Sequence, residues 1–251
     1  MKNILFFGGG NIAQALISGL LLNGMSNKNI FFVDRNPLNQ KKLNSDIDII
    51  ILSVKPKDAI QAYKEILNNY KNPKIVSLVA GIKSSSYIKL DNKSEFMRAM
   101  PNTASKYGQG ITALYNSSFK KSNFRKVSSI FSKLGTVIEV DNDSKIDTFT
   151  GVIGSGPAYF FQTLKSFEKK LMRLCNQDEK IVREIIANLM KGVGSSIEKD
   201  GDLDNLIKAV ASKKGTTEAG LKSLKSNNLN QIFEKGLNAA IKRSKEISNE
   251  F

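Results

Sequence analysis

The chain of 251 residues contains no histidine, and its single cysteine is Cys175. Without imidazole, the commonest general acid and metal ligand is missing, and one thiol cannot form an internal disulfide or a multi-cysteine zinc or iron-sulfur site. No metal is therefore expected, and lone-cysteine usage fits a reducing compartment, the cytoplasm. Apolar runs stop well short of the roughly 20 residues that a membrane-spanning helix needs. "MKNILFFGGG" breaks into glycines too early for a signal peptide, so the expectation is a soluble, untargeted chain with no membrane partner. Acidic residues are also scarce, 23 against 38 Lys and Arg, for a formal charge of +15. That excess raises nucleic acid as a partner. The basic residues, however, are scattered over stretches such as "KKSNFRK" and "KRSKE" with few aromatics beside them, which reads as a solvated surface and predicts no nucleic-acid partner.

What is present is punctuated like an α/β chain. "NILFF" has strand length, "GGGN" follows at once, and "IAQALISGLLLNG" has helical length and period. "NIFFVDRNP" reads as a second strand ending in a turn. "DIDIIILSVKP" and "PKIVSLVAG" are continuous β-branched runs, the mark of strands buried on both faces of a parallel sheet, with "QAYKEILNNY" as the crossover between them. "SEFMRAMP", "GITALYN" and "GTVIEV" extend the sheet to about residue 140. Beyond "DNDS" only amphipathic helical segments follow. The expected fold is a Rossmann-type doubly wound parallel sheet, residues 1–143, followed by an all-helical substrate and dimerisation domain, residues 144–251. Successive helices this apolar predict burial against a second copy.

Gly8, Gly10 and Ala13 make a G-x-G-x-x-A pattern between strand and helix. Small residues there permit a tight turn, close approach to a pyrophosphate and helix-to-strand packing, while the helix N-terminus meets the phosphate charge. The predicted cofactor cradle comprises Gly8, Gly10, Asn11 and Ile12, with Asp34 about 20 residues on. Asp34 would accept a bond from a ribose 2′-hydroxyl and favour NADH, whereas the adjacent Arg35 would pair with a 2′-phosphate and favour NADPH. Asp34 reads equally well as a turn-initiating side chain.

A dehydrogenase that reduces a carbonyl must protonate the developing alkoxide, usually through histidine or a metal-bound water. With no histidine there remain a lysine acid, a hydroxyl, or a substrate that needs little proton help. A cyclic imine is such a substrate, because its nitrogen is basic enough to arrive protonated. The enzyme then mainly positions two reactants.

Three stretches, "MPNTASKYGQGITAL" at 100–114, "IGSGPAYFF" at 153–161 and "SKKGTTEAGLKSL" at 212–224, occur in that order, and with them the whole chain resembles the pyrroline-5-carboxylate reductase family. The resemblance implies hydride transfer from NAD(P)H to 1-pyrroline-5-carboxylate, giving L-proline. It implies that backbone N–H groups of Gly215, Thr216 and Thr217 hold the substrate carboxylate, with the Thr217 hydroxyl reaching toward the ring nitrogen. Physically, Gly-Thr-Thr before "EAGLKSL" would open a helix, whose free N–H groups favour an anion. A threonine cap accounts for those residues equally well on sequence alone. By the same resemblance Asn102 borders nicotinamide and substrate beside Thr103, the loop Val54, Lys55 and Pro56 lines the cofactor with Ala80, and Pro157 touches the nicotinamide. Gly154, Ser155 and Gly156 are read first as architectural.

Two departures stand out. Lys213 and Lys214 replace a proline and a glycine usual in the family, and a short strand usual between "NPLNQKKLNS" and "DIDIIILS" is missing. Competing readings are a β-hydroxyacid-type dehydrogenase with Lys191 as its acid, and a catalytically inactive NAD(P)-binding relative.

Overall fold

The structure, a computed structural model, describes residues 3–33 and 46–250, the side chains of the last three excepted. β1 (Ile4–Phe7) is buried along its length, and Gly8 to Gly10 turn the chain into α1 (Asn11–Leu22). β2 (Ile30–Val33), β3 (Ile49–Leu52), α2 (Ala59–Asn69), β4 (Lys74–Ser77), α3 (Ser84–Ile88) and β5 (Glu95–Pro101) follow. β6 (Gly110–Asn116), α4 (Lys121–Ser132) and β7 (Gly135–Val140) complete a seven-stranded sheet in the order β2-β1-β3-β4-β5-β6-β7. Alternate residues of the central strands feed two apolar clusters, one on each face. Ile4, Phe6, Ile49 and Ile51 meet α1 and α4, while Leu5, Phe7, Ile50 and Leu52 meet α2. Both faces are dry, so these strands show no polar alternation in sequence.

Pairing is parallel from β2 through β5, and β7 is parallel to β6, but β6 runs antiparallel to β5. The doubly wound sheet is therefore mostly parallel, and loop length explains the exception. A parallel return needs a connection of about a dozen residues or more, and the chain from Pro101 to Gly110 is shorter, occupied by one 3-10 turn at Thr103–Tyr107.

From Asp143 onward the described residues form helices alone: α5 (Asp143–Phe149), a π turn at Thr150–Gly154, α6 (Gly156–Leu174), α7 (Glu179–Asp200), α8 (Leu203–Val210), α9 (Thr216–Ser226) and α10 (Leu229–Glu250). The chain divides into two compact units, residues 1–155 with 238–251, and residues 156–237. The first unit thus takes in α5, the π turn and the C-terminal part of α10. In the second unit, α6 to α9 bury only Gly156 and Val182 among the described residues. Ile181, Ile185, Leu189, Val193 and Ile197 recur every fourth residue along α7 and are all exposed. Such a stripe lies on one helix face.

Candidate active site

The sheet order reverses at β1, with β2 on one side and β3 on the other. In open α/β sheets the crevice beyond the carboxyl ends of the strands at such a reversal is where ligands bind. The residues that leave those ends are Gly8 to Gly10 after β1, Ser53 to Pro56 after β3, Leu78 to Ala80 after β4, and Asn102 after β5.

Gly8 sits at φ +112°, and a Cβ there would lie 2.7 Å from the backbone C and O of Ser53. Only glycine satisfies both constraints. The Gly8 N–H donates to the Val33 carbonyl (2.8 Å), and the buried Ser53 hydroxyl donates to the Gly8 carbonyl (2.8 Å), so β1, β2 and β3 all hold this turn. Gly10 differs: its backbone is ordinary (φ −68°, ψ 178°), it caps α1 with no side-chain bond, and a Cβ there would meet nothing within 4 Å among the described residues. The first N–H bond back to Gly10 comes from Gln14, and the first turn of α1 carries no acid. The amides of Asn11, Ile12 and Ala13 thus have no partner among the described residues, and they lie at the positive end of a helix dipole. That arrangement fits a phosphate.

Lys55 caps a 3-10 turn at Pro56–Asp58, so Val54, Lys55 and Pro56 form the exit from β3, with Lys55 exposed. Ala80 is half-buried and followed by Gly81 at φ +77°. Asn102 is 6% exposed, and its Oδ1 accepts from the Ile111 N–H (3.1 Å), which leaves its NH2 as the end available to a ligand. Thr103, next in the chain, is exposed. Asp34 and Arg35 lie outside the described residues, as does the connection expected to be shortened.

In the second unit Gly215 caps α9 without a side-chain bond, and Thr216 and Thr217 are its first two helical residues. The Gly215 N–H already donates to the Ser212 carbonyl (3.0 Å), and Ala219 is the first residue to bond back to Gly215. Among the described residues, the amides without a partner are therefore those of Thr216, Thr217 and Glu218. Neither threonine side chain caps the helix; the exposed Thr216 and half-buried Thr217 present hydroxyls with no partner among the described residues. Glu218 turns back to accept from the Lys214 N–H. Lys214 itself has φ +60°, a conformation that costs an L residue more than glycine. Lys213 is exposed. Pro157 is the second residue of α6, half-buried, and a Cβ at Gly156 would meet nothing within 4 Å among the described residues, so their packing does not demand glycine at that position. Lys191 is exposed on α7.

One cluster beside the sheet ends escapes sequence reading. Arg98 of β5, 1% exposed, donates from a terminal nitrogen to Asp143 Oδ1 (2.7 Å), and its other terminal nitrogen lies 3.6 Å from Asp147 Oδ1. Asp143 also accepts from the Ser84 hydroxyl (2.7 Å) and N–H, and Asp147 from the Ser244 hydroxyl (3.4 Å). Burial pushes the Asp147 carboxyl above its ordinary range, Arg98 pulls it back, and Asp143 adds to the rise. The sequence signal was an arginine inside the apolar strand "EFMRAMP". No group of three or more metal-ligating side chains occurs among the described residues.

The family profile described as pyrroline-5-carboxylate reductase dimerisation matches residues 143–247, and that described as NADP oxidoreductase, coenzyme F420-dependent, matches residues 3–81. Pyrroline-5-carboxylate reductase 1 of Bacillus subtilis is 30% identical over 273 aligned positions, covering 99% of this chain and 90% of the relative. The chain belongs to the pyrroline-5-carboxylate reductase family. Solved structures agree. The pyrroline-5-carboxylate reductase of Coxiella burnetii superposes with a TM-score of 0.85 at 28% identity, covering 98% of both chains. The pyrroline carboxylate reductase of Plasmodium falciparum, with NADP bound, shares the fold at a TM-score of 0.88 and 22% identity, again over 98% of both. As a member of the pyrroline-5-carboxylate reductase family, the chain is an oxidoreductase with a dimerisation segment. Among its described residues no helix is long and apolar enough to cross a membrane.

Proposed function

We propose that the protein reduces the cyclic imine 1-pyrroline-5-carboxylate to L-proline with NADPH or NADH, the last step of proline biosynthesis, in the cytoplasm. The observation that carries this reading is the start of α9: three amides and a threonine hydroxyl with no partner among the described residues, in a chain without imidazole. Reduced nicotinamide, when bound, supplies the hydride. The residues of the chain bind, orient and neutralise.

At α1, the amides of Asn11 and Ile12 take the pyrophosphate in the space that Gly10 leaves open, while Gly8 lets the turn pass under it. Val54, Lys55, Pro56, Ala80 and Asn102 line the remainder of the dinucleotide along the ends of β3, β4 and β5, and Pro157 borders the nicotinamide. The choice between NADH and NADPH falls to Asp34, suited to a ribose 2′-hydroxyl, or Arg35, suited to a 2′-phosphate.

At α9, the amides of Thr216, Thr217 and Glu218 hold the substrate carboxylate, while Gly215 is demanded by the turn itself, where a Cβ would collide with Ser212. The Thr217 hydroxyl accepts a hydrogen bond from the protonated ring nitrogen, which orients the iminium carbon toward the hydride. Because the substrate brings its own proton, no histidine is required. Lys213 and Lys214 add positive charge beside the carboxylate site.

The chain works as a homo-oligomer through residues 144–251. The α7 stripe supports this, and so do Gly192 and Gly194. Each helix-interior glycine costs about 0.5–1 kcal/mol relative to alanine, yet among the described residues a Cβ at either would meet nothing within 4 Å. Close approach by a second copy gives both a purpose.

The test is incubation of purified protein with 1-pyrroline-5-carboxylate and each reduced cofactor, following cofactor absorbance and product by mass. Stoichiometric proline supports the reading. Cofactor binding without proline would instead mark the inactive relative.

A further inference from the structure

The buried cluster around Arg98 holds more than its own charges. Ser84 opens α3, four residues after Ala80. Its N–H and hydroxyl both donate to Asp143, so the far end of the Ala80–Ser84 loop is bonded to α5. The near end is held differently: Gly81 has φ +77°, and a Cβ there would run into Ile247 of α10, with the Ile247 Cβ 2.6 Å away. α10 is itself tied down three residues earlier, where the Ser244 hydroxyl donates to Asp147. Arg98 closes the set from below, pairing with Asp143 at 2.7 Å and facing Asp147 at 3.6 Å. Along its own strand, Arg98 lies four residues before Asn102. One guanidinium thus joins the loop after β4 to the strand that delivers Asn102.

Stability alone is a poor explanation for this arrangement. A buried ion pair recovers its desolvation cost only with good geometry, and apolar replacements of like volume are often as stable or more so. The guanidinium Nε has no hydrogen-bond partner among the described residues, and two carboxylates share one cation. What such a cluster supplies is directional: two loops fixed in one geometry, at the carboxyl ends of adjacent parallel strands where a dinucleotide would lie.

We infer that Arg98 and Asp143 are positioning residues for the reductase reaction, acting through Ser84 and the strand to Asn102 to hold the nicotinamide-side loops. This rests on the proposed dinucleotide reading, and the test separates the two. Amide hydrogen exchange and calorimetric NADPH binding are measured on the full chain and on the Asp143→Asn and Ser84→Ala variants. Exchange reads loop order without cofactor; binding reads its consequence.

Asp143→Asn should exchange faster at residues 79–84 and 100–103 alone, with β1, β3 and α9 protected as before. NADPH affinity should fall about tenfold, the cost of a lost bond to a charged group. The KM for 1-pyrroline-5-carboxylate should rise by a smaller factor than the NADPH dissociation constant, because the α9 amides are untouched and Asn102 alone of the loosened residues borders the substrate, a split that general unfolding does not produce. Ser84→Ala, which keeps the ion pair and is the safer variant to fold, should show the same pattern at smaller amplitude. A uniform rise in exchange, or NADPH binding like the wild type in both variants, overturns the positioning role. A wild type that binds neither NADPH nor NADH would refute the dinucleotide reading, and the positioning role with it.

Discussion

Gly10→Ala separates cofactor binding from folding. At φ −68° and ψ 178° the backbone is open to alanine, and the added methyl meets no atom of the described residues within 4 Å. Replacing glycine at a compatible site stabilises by about 0.4–1 kcal/mol through the unfolded chain. Alanine is a poorer helix cap than glycine by an amount of the same order. The two effects nearly cancel, so the melting temperature should move by no more than a few degrees. For a ligand the position is different. The methyl would stand at the mouth of the α1 N-terminus, where the proposed pyrophosphate must approach amides that no side chain caps. Loss of one or two charge-assisted hydrogen bonds, about 1.5–3 kcal/mol each, predicts NADPH binding weaker by at least tenfold. Paired calorimetric titration and thermal melts read both quantities on one preparation. A variant that melts like the wild type and also binds NADPH like the wild type refutes the cradle.

Further predictions follow from neighbouring geometry. Gly8→Ala should destabilise by roughly 3 kcal/mol or more, because it combines positive φ with a backbone collision at Ser53; urea unfolding checks this, and a shift under about 1 kcal/mol contradicts it. Asp147 has a carboxyl raised above its unfolded value, so its contribution is most favourable below about pH 4 and is lost as pH climbs through the folded value. The melting temperature of Asp147→Asn relative to wild type should therefore rise between about pH 4 and pH 7, and a flat or falling difference would contradict the burial argument. Lys214→Gly relieves a left-handed backbone worth about 1–2 kcal/mol and gives back part of that in unfolded-state entropy, predicting a gain of about 0.5–1 kcal/mol by chemical denaturation. No gain would mean that the loop tolerates lysine without strain.

How far the sequence could be read depended on how local each feature was. β1, its glycine turn and α1 announce themselves within twenty residues, because strand, turn and helix each leave a short periodic signature. The start of α9 was equally visible in "GTTEAGL", although only coordinates show that Gly215, not a threonine, is the cap and that its N–H is already bonded to Ser212. The reversal at β6 was legible in principle from the short connection after Pro101, yet a β-branched run carries no direction of its own. Arg98 was visible as an oddity in an apolar strand, but its partner Asp143 is 45 residues away and Ser84 reaches Asp143 across 59. No periodicity reports such pairings. The return of Ser244 and Ile247 to the sheet unit was likewise hidden, since an amphipathic helix does not say which surface receives it.

The central claim concerns Thr217, and the most direct measurement is steady-state reduction of 1-pyrroline-5-carboxylate by wild type and Thr217→Ala, with melting temperatures in parallel. Because Thr217 caps nothing, the variant should melt within a few degrees of wild type while kcat/KM falls about tenfold or more, the cost of one hydrogen bond to a charged ring nitrogen. An unaltered kcat/KM in the variant, or a wild type that oxidises neither NADPH nor NADH in the presence of the imine, would contradict the account.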